Sequence, residues 1–223
     1  VLGSEGGIWP AIAGSLYFTG AAVVMGSIPA VAVALYQVFY CKNKKRASLI
    51  RLVMECISGL PSIVLGLFSY TVLVRDLGLG RCILSASAAL AIMILPFIEV
   101  RAEKAFREVP ESVVQSACAL GCSKAHTIRK VVFPACRGEL VSGMILGGCY
   151  AMGATAPVMF TGAVAYATVP HSLLAPAMSL PLHLYLLLSQ GATSMPAVYG
   201  TAFVMMVLIL VGMVFCERFF CRF

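Results

Sequence analysis

Charge is what this sequence has least of. Asp, Glu, Lys and Arg make up 11% of its 223 residues, and 61% are hydrophobic, which leaves too little polar surface to cover a water-soluble globule. The chain holds one tryptophan and three histidines. His126, His171 and His183 stand far apart in sequence, so no histidine-built catalytic centre is expected. No Gly-x-x-x-x-Gly-Lys-Ser/Thr loop occurs, which excludes ATP binding in the usual P-loop manner. Neither His-Glu-x-x-His nor a nucleophile elbow is present. Of nine cysteines, only Cys118 and Cys122 approach ligand spacing. They are four apart rather than Cys-x-x-Cys and read as packing thiols in a reducing compartment. No catalytic residue, metal or cofactor is expected.

What fills the chain is long apolar runs, and they give an all-α polytopic membrane protein with one transmembrane domain over 1–223. A spanning helix needs roughly 20 apolar residues, and spans are expected at about 11–39, 56–74, 82–98, 140–160 and 198–216. The first partner is therefore the lipid bilayer. Gly14, Gly20 and Gly26 in the first run suit close helix approach. Gly59-Leu60-Pro61-Ser62 in the second suits either a packing kink or a gate. The apolar piece Leu180 to Leu188 is too short to span and reads as interfacial or re-entrant. Charges from Glu99 to Glu108 read mostly as solvated headgroup anchors.

Sixteen Lys and Arg face nine Asp and Glu. In a soluble protein that excess would suggest nucleic acid; here it first reports orientation. Fourteen of the sixteen cations, including Lys42, Lys44, Lys45, Arg46 and Arg51, fall on one side, and Arg75 and Arg81 on the other. This places the visible start, with Glu5, outside and the end in the cytoplasm. The chain opens on Val1 with no basic-then-apolar leader, so a further span is expected upstream.

One polar island, 109–134, stands between the apolar runs. Pro110 and Glu111 suit a helix start. Val113, Val114, Ala117 and Leu120 share one face, and Gly121 can take the left-handed conformation that ends a helix. Ser123 caps a second short helix that Pro134 is expected to interrupt. A helix-turn-helix reading DNA through Lys124, Arg129 and Lys130 is set aside, because both ends run into segments that belong in lipid; an ordinary surface loop stays open. A second feature is Gly147 to Pro157. Pro157 cannot donate to the Gly153 carbonyl, so the helix should open there. That opening could present N–H groups and the Thr155 hydroxyl to an anion, or be a plain proline kink with Thr155 bonded to its own helix.

The island resembles the coupling loop of ABC-importer permeases, with Gln115-Ser116-Ala117, Leu120-Gly121 and Pro134 at the places of its Glu-Ala-Ala, glycine and proline. Gly153-Ala154-Thr155-Ala156-Pro157 with Phe160-Thr161 resembles the Gly-Glu-Thr-Ala-Pro…Phe-Thr motif of phosphate-importing ABC permeases, in particular the PstA-like subunit. Gly7-Ile8-Trp9-Pro10, Gly59-Leu60-Pro61-Ser62 and Leu180-Pro181…Tyr185 agree in order. The resemblance implies half of a translocation pore in a bacterial inner membrane, completed by a second homologous permease subunit. It also implies a cytoplasmic ATPase dimer, a periplasmic or surface phosphate-binding protein, and phosphate as cargo. ATPase coupling would fall to Gln115, Ser116, Ala117, Leu120, Gly121, Lys124 and Pro134. The translocation path or gate would involve Pro61, Glu103, Tyr150, Thr155 and Pro157. Tyr150 and Ala154 depart from the family, which carries Arg and Glu there. Another oxyanion or small solute, or a transport-inactive scaffold, therefore stays open.

Overall fold

The computed structural model describes residues 7–41, 43–165, 169–170, 172–189 and 195–220. Glu5, Lys42, His171 and the side chain of Cys118 lie outside the described residues. Among the described residues four helices are long and apolar enough to cross a membrane, and a fifth crossing is counted if one bent pair is taken as a single span.

α1, Trp9–Leu35, starts with Pro10 in its first turn and continues as a π-helical turn, Tyr36–Tyr40. It packs along α4, Ile83–Glu108. Phe18, Ala22, Leu90, Ile94 and Ile98 form the seam. Gly26 allows this approach, because a Cβ there would lie 3.1 Å from the Ala91 carbonyl oxygen. Gly14 likewise lies against the Met178 backbone, but Gly20 has no neighbour to accommodate. A second core, toward the other end of the same pair, gathers Ala34, Ala102, Phe106, Val132 and Leu140.

The second apolar run is not one straight helix. α2, Lys44–Ser58, and α3, Ser62–Ser69 with its π-helical continuation to Asp76, meet at Gly59-Leu60-Pro61 with a bend of 96°. Pro61 is the N-cap of α3 with ψ 133°, an extended conformation in which no helix can continue. The expected span of 56–74 therefore begins only at Ser62.

In the polar island, α5, Glu111–Ala119, ends at Gly121, whose φ is +84°. Ser123 then caps α6, Lys124–Thr127, by accepting from the His126 N–H at 3.3 Å. Pro134 does not interrupt this second helix. α6 passes through a π-helical turn, Ile128–Val132, into α7, Phe133–Met152, as one run. Pro134 sits in the first turn of α7, where the missing N–H costs little, and the wider π turn just before it accommodates the ring.

α7 opens at Gly153–Thr155, and α8, Ala156–Thr161, resumes beside α3. Gly66 permits that contact, since a Cβ there would stand 3.0 Å from the Ala156 carbonyl oxygen. α9, Leu180–Ser189, is anchored by its first turn, while Tyr185 and Leu188 farther along are exposed. Leu180, Pro181, Leu182 and His183 are buried, and the Leu180 N–H donates to Ser15 Oγ at 2.8 Å. α10, Met195–Phe220, lies outermost, with 6% of its apolar window buried.

Candidate functional site

α3, α4 and α7 enclose a cavity of about 740 Å³ that the flank of α2 also lines. Beside it lies a second, of about 790 Å³, that reaches the break after α7. Ser62, Met93, Phe97, Arg101 and Tyr150 line both, so these five form the wall between them.

Arg101 is the cation of that wall. Its guanidinium lies 5.2 Å from the centroid of the Phe97 ring, one turn earlier on α4. Phe97 stacks on Tyr150 of α7, with centroids 6.1 Å apart and planes at 19°. Gly143 of α7 leaves room for the stem, as a Cβ there would be 3.3 Å from Arg101 Cβ. Among the described residues no carboxylate forms an ion pair with Arg101. The Phe97 ring holds the guanidinium by cation–π attraction, with Tyr150 stacked on that ring, and leaves its five N–H donors free.

Of the three acids that line the cavity, Glu55 is exposed, and Glu103 and Glu99 have partners. Glu103 accepts from Arg107 Nη2 at 2.7 Å and Nε at 2.9 Å, and lies 3.7 Å from Arg51 Nη2. Glu99 is 2% exposed and accepts from the Gln37 amide of the turn that ends α1. It is thus no solvated headgroup anchor. A buried carboxylate needs such a partner, and this one comes from 62 residues earlier in the chain.

Of the expected path residues, Glu103 and Tyr150 line the first cavity, and Tyr150 and Thr155 the second. Pro61 stands at the α2–α3 corner without lining either, and Pro157 is buried. Thr155 makes no capping bond to α8. With six residues α8 carries little aligned dipole, so the positive charge available to an anion here is that of Arg101. Composition and span reading passed over it. The available signal was its aromatic neighbour at i−4. Ala154 lies beyond the end of α7, so it does not share a helical face with Tyr150 as the four-residue spacing implied.

In the polar island, Val114 packs against the second core, while Val113 and Leu120 are exposed, Leu120 by 86%. Gln115 Nε2 donates to Glu111 at 3.1 Å along α5, and Gln115 and Ser116 are exposed. Ala117 is half-buried and Pro134 exposed. Lys124 Nζ donates to the Phe39 carbonyl and lies 5.1 Å from the Tyr40 ring centroid, so the start of α6 grips the end of α1. No group of three metal-ligating side chains occurs among the described residues.

Residues 22–222 match the family model described as binding-protein-dependent transport system inner membrane component. The chain is 31% identical over 208 residues to a probable phosphate transport system permease protein PstA of Methanocaldococcus jannaschii, covering 93% of this chain and 73% of that protein. It is 32% identical over 159 residues to PstA 2 of Mycobacterium bovis, covering 71% and 52%, so the match spans about half the mycobacterial protein. Among solved structures it superposes on a chain of the inward-facing MetNI methionine ABC transporter with a TM-score of 0.75, 17% identity and 96% of each chain covered. An amino acid ABC transporter gives 0.68 at 18% identity, covering 94% and 90%.

Proposed function

Because the chain belongs to the family of binding-protein-dependent transport system inner membrane components, a family of multi-pass permease subunits, we propose that it forms half the pore of an ATP-driven phosphate importer. The observation that carries the cargo is Arg101, an unpaired guanidinium between two cavities. Arg101 is exposed to both cavities with no acid among the described residues paired to it, and a planar five-donor fork suits a phosphate. Relatives named as phosphate transport permeases support the same cargo.

In this reading a second permease subunit closes the open side of the cavities, and a phosphate-binding protein delivers the anion from outside a bacterial inner membrane. A cytoplasmic ATPase pair receives α5 and the corner at Gly121, with the exposed Leu120 as the apolar contact. Closure of the ATPases moves α5 and α6. The bond from Lys124 to the end of α1 passes that motion to the spans, and the path turns outward. Phosphate then contacts Arg101 and Tyr150, with Thr155 offering a hydroxyl. Hydrolysis, carried out by the partner, returns the path inward. The basic-residue asymmetry supports a start outside and an end in the cytoplasm.

The test is uptake in vesicles containing the full assembly, with labelled phosphate, sulfate and a neutral amino acid offered in parallel. ATP-dependent accumulation of phosphate alone is expected. Accumulation of sulfate or the amino acid without phosphate would overturn the cargo, and accumulation of none would favour a scaffold.

A further inference from the structure

We propose that α2 is not part of a membrane span but lies along the cytoplasmic surface of the bilayer as an anionic-lipid-binding helix. Three independent observations converge on this placement.

The first is direction and depth. α2 turns 96° from the segment Ser62–Asp76, so when that segment runs along the bilayer normal, α2 lies nearly in the plane. The segment has eight plus seven residues, and at about 1.5 Å per residue it covers about 22 Å. That is about 8 Å less than a hydrocarbon core of ~30 Å, and interfacial helices sink their apolar side about 5–10 Å into that boundary. α4 gives the same level from the other side. Its 26 residues extend about 39 Å, so its last few leave the hydrocarbon near Glu103, the residue that Arg51 of α2 meets at 3.7 Å.

The second is the helix surface. Ala47, Ile50, Met54 and Ile57 turn toward the protein. A separate stripe, Leu49, Leu52, Val53 and Cys56, follows the i, i+3, i+4, i+7 rule and stays exposed, with Leu49 at 60% and Leu52 at 55%. An apolar stripe beside a basic end is the composition of a surface-seeking helix.

The third is an electrostatic imbalance. Lys44, Lys45 and Arg46 crowd the first turn, which has no acid, and the positive end of the helix dipole disfavours cations there. Among the described residues none of the three forms an ion pair. Anionic headgroup phosphates at the bilayer surface supply the missing charge, as they do for other clusters of basic residues beside a membrane.

The chain's single tryptophan provides the measurement. Trp9 is exposed, so Trp9→Phe gives a silent background for Leu49→Trp, Val53→Trp or Cys56→Trp in the full chain reconstituted into vesicles. Quenching by lipids brominated at graded depths should place positions 49 and 56 at one shallow level. A difference of about 10 Å, the rise of seven helical residues, would make α2 a continuation of the span and overturn the proposal. Brominated phosphatidylglycerol diluted in phosphatidylcholine should quench Leu49→Trp at least twofold more than the same fraction of brominated phosphatidylcholine. Replacing Lys44, Lys45 and Arg46 by Gln should remove the difference. Equal quenching by the two lipids in the unsubstituted helix would overturn the anionic preference, and the Val53→Trp variant serves if Leu49→Trp does not fold.

Discussion

Lys124, at the start of α6, donates its ammonium to the carbonyl oxygen of Phe39 at the end of α1 and sits 5.1 Å from the Tyr40 ring centroid. A residue of the segment proposed to couple to the ATPase is thereby fixed to the first span, and the positive charge lies at the carbonyl end of a helix, where it is favoured. A hydrogen bond to a charged group contributes about 1.5–3 kcal/mol. Lys124→Met keeps the stem and removes that bond. The expected result is an assembled transporter that hydrolyses more ATP per phosphate imported, several-fold above the native ratio. An unchanged ratio would mean that motion reaches the spans by another route.

Gly121 holds φ +84°, a conformation that costs a β-branched residue roughly 1–2 kcal/mol while Asn tolerates it. Gly121→Val should therefore abolish stimulation of ATP hydrolysis by the binding protein, and Gly121→Asn should retain most of it. No side chain crowds the position, so the contrast isolates backbone geometry. Native stimulation in the Val variant would remove the corner from the coupling route.

Tyr150 stacks on Phe97, which carries the Arg101 guanidinium on its ring. Tyr150→Arg would bring a second cation beside the first with no acid to pair it, and like charges so placed repel. Ala154→Glu alone buries an acid against the main core, with which Ala154 packs. Each single change should lower the melting temperature in detergent, and because Tyr150 and Ala154 both line the second cavity, the double change should recover part of the loss. Simple additivity would mean that the two positions do not meet across the break after α7.

The long apolar helices, though not all their bounds, the corner at Gly121 and the opening at Gly153–Thr155 were legible because each rests on local chemistry: apolar length, positive φ, a proline without its donor. What escaped was decided by partners distant in sequence. Glu99 reads as a surface charge until Gln37 folds against it. Arg101 reads as an anchor until Tyr150 of α7 completes the aromatic wall. Pro134 reads as a breaker unless the π-helical turn before it is known, and no residue in Ile128–Val132 announces that turn. The bend at Gly59-Leu60-Pro61 was visible as a kink, but not its size of 96°, because the α4 surface that α2 packs on is distant in sequence.

The most direct measurement is the initial rate of ATP-dependent phosphate uptake by Arg101→Gln and Arg101→Lys in vesicles holding the complete assembly. Loss of a charge-assisted contact of about 1.5–3 kcal/mol corresponds to roughly ten- to a hundredfold. Arg101→Gln should fall by that factor, with basal ATP hydrolysis and assembly intact, and Arg101→Lys should recover part of the rate because the charge returns without the planar fork. Uptake at the native rate by Arg101→Gln would contradict the assignment of the anion path to this cavity.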